Sequence, residues 1–199
     1  MSTSMTLAEA IRARRSIGKV QDTPVDKNII ETILEAGNWA PSHHCTEPWR
    51  FFVMTGHGRK VLAEAYADIA CEGSDAAGDE LEALRAKQGL KAYRAPLIIA
   101  VAVTPSEAAN VNRREELAAA HAAIQNMLLA AHASGLASIW RSGDPMYHPR
   151  MKSAFGLGDE SEMVALIYLG YPVNPVHPGK RGSFEDKTVW ISEFSAAQA

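Results

Sequence analysis

Residues 40–52 read APSHHCTEPWRFF and crowd two histidines, a cysteine and a glutamate into five positions. These residue types could ligate a metal or pair a thiol with a base. Zinc needs four side chains converging on one point. Neighbours in an extended loop point in different directions, so His43, His44 and Cys45 cannot all face one ion. The remaining histidines, His57, His121, His132, His148 and His177, show neither HExxH nor another paired spacing. A Cys45 nucleophile would need a positioned group to lower its pKa, and nothing in the local spacing supplies one. No metal site is expected, and the segment reads as a proline-bounded loop entering a strand.

Two other stretches carry anion chemistry. RARRSIGK, residues 12–19, places three arginines, a serine and a lysine at a helix end and the turn after it. Guanidinium forks match phosphate oxygens, but a solvated basic helix end favoured by the helix dipole is equally open. SIWRSGD, residues 138–144, puts Arg141 and Ser142 where an apolar strand gives way to a Gly-Asp turn. A strand end borders the crevice where ligands commonly sit; a structural ion pair is the alternative. One anionic ligand would account for both Arg-Ser pairs at once.

The whole chain sets the frame for these motifs. With 199 residues, 47% hydrophobic and 22% charged, it fits one soluble domain with a real core. A net charge of −3 gives no basic field for nucleic acid, so an anion site must be local. Two cysteines, Cys45 and Cys71, are too few for a disulfide framework. The N-terminus lacks a signal-peptide core, and the longest apolar run, APLIIAVAV, is too short to cross a bilayer as a helix. A cytoplasmic, reduced protein without membrane or nucleic-acid partners is expected.

The elements that must position the motifs follow from periodicity. Thr6 and Glu9 have capping-box spacing for a helix ending near Arg14–Ser16. Asp26 caps a second helix with Ile29, Ile30, Ile33 and Leu34 on one face. WRFFVMT reads as a strand, and residues 57–93 read as helical with a weak centre at CEGSDAAGDE. PLIIAVAV has no alternation, as in a strand covered on both faces. The alanine-rich segment from Arg113 to Ser134, stopped by Gly135, predicts a long buried central helix. LASIWRS and EMVALIYLGYP predict two more strands around a short helix at 148–155. The tail breaks at prolines and ends in a β-like TVWI. Together they predict one domain over 1–199, a sheet flanked by helices of α+β or mixed α/β type, with residues from about 173 to 199 as an extension packing on a partner subunit.

RRS, APSHHCTEPWRFFV, RAPLIIAVAV, AAHASGLASIWRS and VALIYLGYP occur in that order over roughly residues 7–172. In this the chain resembles the flavin-dependent nitroreductases, closest to their short, single-domain bacterial subgroup. The resemblance implies an α+β nitroreductase-like fold and a homodimer with FMN at the subunit interface. It implies FMN contacts from Arg14, Arg15 and Ser16 at the phosphate and ribityl chain, and from Trp140, Arg141 and Ser142 in the later segment. Ser42 and His43 match the loop that reaches the flavin from the partner subunit, and Trp39, just before it, falls where the subgroup has another flavin contact. Residues 130–135 match the region that meets the nicotinamide. The implied activity is NAD(P)H-dependent: a hydride passes to flavin N5 and on to a nitro-aromatic, quinone or similar acceptor in ping-pong fashion, with no catalytic protein residue required. A flavin enzyme with one specific non-nitro substrate, or a flavin carrier with incidental turnover, remain alternatives. Two positions depart from the pattern. Gly18 stands where many members have Lys or Arg near the flavin pyrimidine, with Lys19 following, and Trp39 stands where the subgroup often has an arginine.

Overall fold

The computed structural model describes residues 5–175 and 177–192. Four strands, β1 (Trp49–Thr55), β2 (Leu97–Val103), β3 (Ala137–Arg141) and β4 (Glu162–Gly170), form one antiparallel sheet in the order β1-β2-β4-β3. Every residue of β2 has 0% exposure, as its unalternating sequence predicts. Leu97, Ile99, Val101 and Val103 enter one core layer, while Ile98, Ala100 and Ala102 enter the other. The first layer lies under α2 (Lys27–Asn38) and α5 (Arg113–Ala133); the second lies under α3 (Lys60–Cys71) and α7 (Pro149–Ala154). Remaining helices are α1 (Leu7–Ala13), α4 (Gly78–Gly89) against α3, and the single turn α6 (Asp144–Tyr147).

The helix boundaries have local causes. Thr6 and Glu9 make the predicted capping box on α1. Asn112 caps α5, and Gly135 (φ 81°) ends it in a Schellman motif, with Leu136 N–H donating to Ala131 O at 2.9 Å. α2 approaches α5 closely at Gly37, where a Cβ would stand 2.7 Å from Met127 Cγ.

One irregularity matters for the site. The β2–β4 register shifts between Val101 and Ala102, which pair with Ala165 and Met163 and leave Val164 as an extra residue. Such a bulge reverses the phase of everything beyond it. Val164 and Ala165 both enter the α2–α5 layer, and Leu166 and Tyr168 thereby reach the α3 layer.

The structure departs from the sequence reading at three points. The HHC segment is a tight 3₁₀ turn rather than an extended loop, with left-handed backbone at His44 (φ 58°), Cys45 (φ 54°) and Glu47 (φ 46°). Helix α5 is buried along one face, while His121 and Gln125 on its other side are exposed. Alanine on all sides hides that asymmetry from periodicity. The β-like TVWI forms no strand over its residues 188–191, and Val189, Trp190 and Ile191 are 81%, 85% and 76% exposed. A strand needs a neighbouring ladder, and residues 188–191 pair with none of the described strands. Residues 193–199 of the expected extension lie outside the described residues. No described helix is long and apolar enough to cross a membrane.

Candidate functional site

The two Arg-Ser motifs meet at the free edge of the sheet. After α1 ends, the chain turns extended, and Ser16 forms a parallel bridge with Ser138 of β3 while Ile17 N–H donates to Ser138 O at 2.9 Å. Running on in this direction brings Gly18 beside Arg141, whose Nη2 would be 3.1 Å from a Cβ at Gly18.

A cluster of cations gathers along this seam. Burial, then the charges of Arg15 and Arg181, push the Arg14 guanidinium below its ordinary value. Burial and the charges of Arg14 and Arg15 likewise push His132, in the last turn of α5, below the ordinary histidine value. Among the described residues, Arg14, Arg15, Arg141 and Arg181 make no ion pair with a carboxylate. Arg15 has a structural share in the seam: its guanidinium donates to Arg14 O and, at 2.6 Å, to Arg12 O, and lies where any side chain at Gly179 would collide. It therefore braces the end of α1 and packs against the tail at Gly179.

The buried side-chain polar atoms without a hydrogen-bond partner, among the described residues, are Arg15 Nε, His132 Nε2, Ser138 Oγ and Arg141 Nε. All four residues belong to this seam or the helix end beside it. Buried polar groups are normally paired, and unpaired cations held next to each other repel. Both features fit a phosphate-bearing ligand that would supply acceptors and negative charge together.

The other predicted residues divide. Trp140 turns to the α5 side of the sheet, where its indole N–H donates to Val164 O at 3.2 Å and its ring stacks on His121 at 5.6 Å. Arg141 turns to the opposite side, its guanidinium 5.3 Å from the Tyr168 ring centroid, and Ser142 follows at the mouth of a cavity there. Trp39 is 78% exposed and donates to Glu35 Oε1 at 2.7 Å. Ser42 and His43 sit at the N-terminal end of α5: His43 Nε2 is 3.9 Å from Glu115, and Thr46 donates to the buried carboxylate of Glu116. From Glu116 to His132 the helix rises about 24 Å at 1.5 Å per residue. Within one chain, then, the structure joins residues 14–16 to 140–142 and keeps 42–43 apart from them. No group of three or more His, Cys, Asp or Glu that could hold a metal occurs among the described residues.

Sequence reasoning passed over Arg181 and Glu116, and weighed His132 only as a metal ligand, which it rejected. A basic pair in a proline-broken tail, a histidine in a final helix turn and one glutamate in a charged first turn are each commonplace; only the fold shows what they face.

Fold and seam together define an α+β protein with a cation-rich sheet edge. The family model described as "Nitroreductase family" matches residues 11–171, and the chain belongs to that family of oxidoreductases. The Escherichia coli (strain K12) protein YdjA, provisionally named an NAD(P)H nitroreductase, is 34% identical over 168 residues, covering 84% of this chain and 89% of its own. A nitroreductase-like protein from Bacillus cereus has a crystal structure similar to this one, with TM-score 0.81 and 29% identity over 97% of this chain and 100% of that one. A provisionally named nitroreductase of Desulfovibrio desulfuricans, solved in complex with FMN, is 30% identical with TM-score 0.67, covering 97% of this chain and 100% of that one.

Proposed function

We propose that the chain is an FMN-dependent oxidoreductase that takes a hydride from NAD(P)H and delivers it to a nitro-aromatic, quinone or similar acceptor in ping-pong fashion. The observation that carries this reading is the seam: four buried, unpartnered polar atoms beside arginines that lack a carboxylate. The D. desulfuricans relative, with its FMN, supports the choice of ligand. When bound, FMN supplies the hydride chemistry at N5.

The protein's own residues bind and orient. Arg14 and Arg181 hold the phosphate, with the Ser16 hydroxyl beside them on the extended stub. His132, kept neutral by burial and by Arg14 and Arg15, offers an Nε2 that adds no further repulsion to the cluster. Trp140, Arg141 and Ser142 border the ring system. Acceptor and nicotinamide use one face of the ring in turn.

The separation of the motifs supports a homodimer. Ser42 and His43 stand a helix length from the seam of their own chain, so they serve the FMN of a second copy, with Trp39 near them. The exposed side of α5 from Ala118 onward, which carries no Asp, Glu, Lys or Arg, and the uncovered Val189, Trp190 and Ile191 are surface suited to that contact. The extension from about 173 onward would then lie over the partner. Replacing Arg14 or Arg141 with alanine tests the clamp: each variant should lose FMN during purification, and the clamp is wrong if both remain fully yellow.

A further inference from the structure

Glu116, in the first turn of α5, is 1% exposed and has no part in the cationic seam. Both of its carboxylate oxygens are occupied: Oε2 accepts from Ser106 N–H at 3.0 Å, and Oε1 takes the hydroxyl of Thr46. A carboxylate only accepts, so Thr46 is the donor in that contact. Its alternative acceptor, His43 O, stands 3.5 Å away. The one proton of the Thr46 hydroxyl is thereby committed.

This direction passes down a chain of hydroxyls. With its proton on Glu116, Thr46 can only accept from Ser42, whose oxygen is 3.2 Å from its own. Ser42 therefore gives its single proton to Thr46. One of its two lone pairs accepts from Glu47 N–H at 3.0 Å, presented by the left-handed backbone at Glu47. A hydroxyl has one proton and two lone pairs, so Ser42 keeps one lone pair and nothing else for a ligand.

We propose that Glu116 is a positioning residue that acts through Thr46 and fixes Ser42 as a hydrogen-bond acceptor toward its ligand. The atom facing Ser42 is then an N–H or O–H donor rather than a phosphate or carbonyl oxygen. The two ends of α5 thus carry opposite chemistry: the arginines at the seam only donate, and Ser42 only accepts. FMN has donors of two kinds that fit. Its ribityl hydroxyls and ring imide N–H are present in both oxidation states, whereas a further ring N–H forms only on reduction.

The proposal rests on the reading that Ser42 meets the FMN of a second copy, and a set of variants separates their failures. Glu116→Gln keeps the volume and the number of hydrogen bonds but reverses the chain. Ser106 N–H claims the amide oxygen, the amide nitrogen donates to Thr46, the Thr46 proton turns to Ser42, and the Ser42 proton turns outward. A donor then faces a donor. Thr46→Ser keeps the original direction. Affinity for oxidised FMN and the midpoint potential of the bound flavin are measured for both and for Ser42→Ala, with circular dichroism checking the fold. If the ligand donor is present in both oxidation states, Glu116→Gln weakens oxidised FMN about tenfold and leaves the potential unchanged. If it forms on reduction, affinity for oxidised FMN holds and the potential falls by about 30 mV, a tenfold loss for a two-electron couple. Thr46→Ser moves neither quantity. The positioning role is overturned if Ser42→Ala moves one of them while Glu116→Gln matches the unaltered protein. It is also overturned if Thr46→Ser loses as much as Glu116→Gln. Ser42→Ala moving neither overturns the contact with FMN, and no FMN uptake by the unaltered protein overturns the flavin reading; the positioning role falls with either.

Discussion

Arg141 occupies the space that a side chain at Gly18 would need: its Nη2 is 3.1 Å from the Cβ position. The arginine at the end of β3 and the glycine of the N-terminal stub are therefore one device, made by the pairing of Ser16 with Ser138. A methyl group at Gly18 asks Arg141 to give by only a few tenths of an ångström, so the larger Gly18→Leu is the variant that should push Arg141 off Tyr168 without unfolding the chain. Losing one well-placed charge-assisted hydrogen bond costs roughly 1.5 kcal/mol, or about tenfold in affinity. FMN titration of the variant should show that loss with an unchanged circular dichroism spectrum.

His132 predicts a pH dependence of stability. Its folded-state pKa lies below the ordinary value of 6.5 because of burial, Arg14 and Arg15. Between the folded and unfolded values the unfolded chain binds the extra proton, so stability is full above 6.5 and declines as pH falls below it. The thermal midpoint of the apoprotein should drop from pH 7 to pH 5.5, and His132→Gln should flatten that part of the profile. Bound phosphate should also shrink the drop, because an anion beside His132 favours its charged form.

Glu116 anchors the loop that carries Ser42 and His43. It is 1% exposed, accepts from Ser106 N–H at 3.0 Å and takes the Thr46 hydroxyl. Thr46 lies 3.2 Å from the Ser42 hydroxyl, which in turn accepts from Glu47 N–H at 3.0 Å. The left-handed backbone of His44, Cys45 and Glu47 depends on these anchors. Glu116→Ala should cost about 2 kcal/mol. For a chain of this size that is a fall of about 4–8 °C in melting temperature, measurable by calorimetry.

Cys45 has no assigned chemistry. It is exposed in the left-handed turn, and among the described residues no base is hydrogen-bonded to it. Cys45→Ser should leave kcat and KM within about twofold, since exposed substitutions away from special features are close to neutral. A large loss would restore the thiol as a nucleophile.

The sheet and helices were legible because burial writes periodicity into sequence: β2 reads as covered on both faces, and Thr6–Glu9 reads as a cap. The adjacency of residues 14–16 and 140–142 was not. It depends on one parallel bridge between segments more than a hundred residues apart, which no local pattern encodes. The Arg141–Tyr168 contact was equally hidden, because the bulge at Val164 decides which face Tyr168 takes. Arg15 looked like Arg14 in sequence, yet its hydrogen bonds go to the backbone of α1. The β character of TVWI misled: propensity is local, whereas a strand forms only where a partner lies alongside, and residues 188–191 pair with no described strand.

The central claim, that the cationic seam holds a flavin reduced by NAD(P)H, is tested most directly by absorption spectroscopy of the purified protein. After incubation with FMN and desalting, the account predicts a retained flavin spectrum that bleaches anaerobically on addition of NADH or NADPH. A protein that stays colourless after FMN incubation, or a bound flavin that neither nucleotide bleaches, would contradict it.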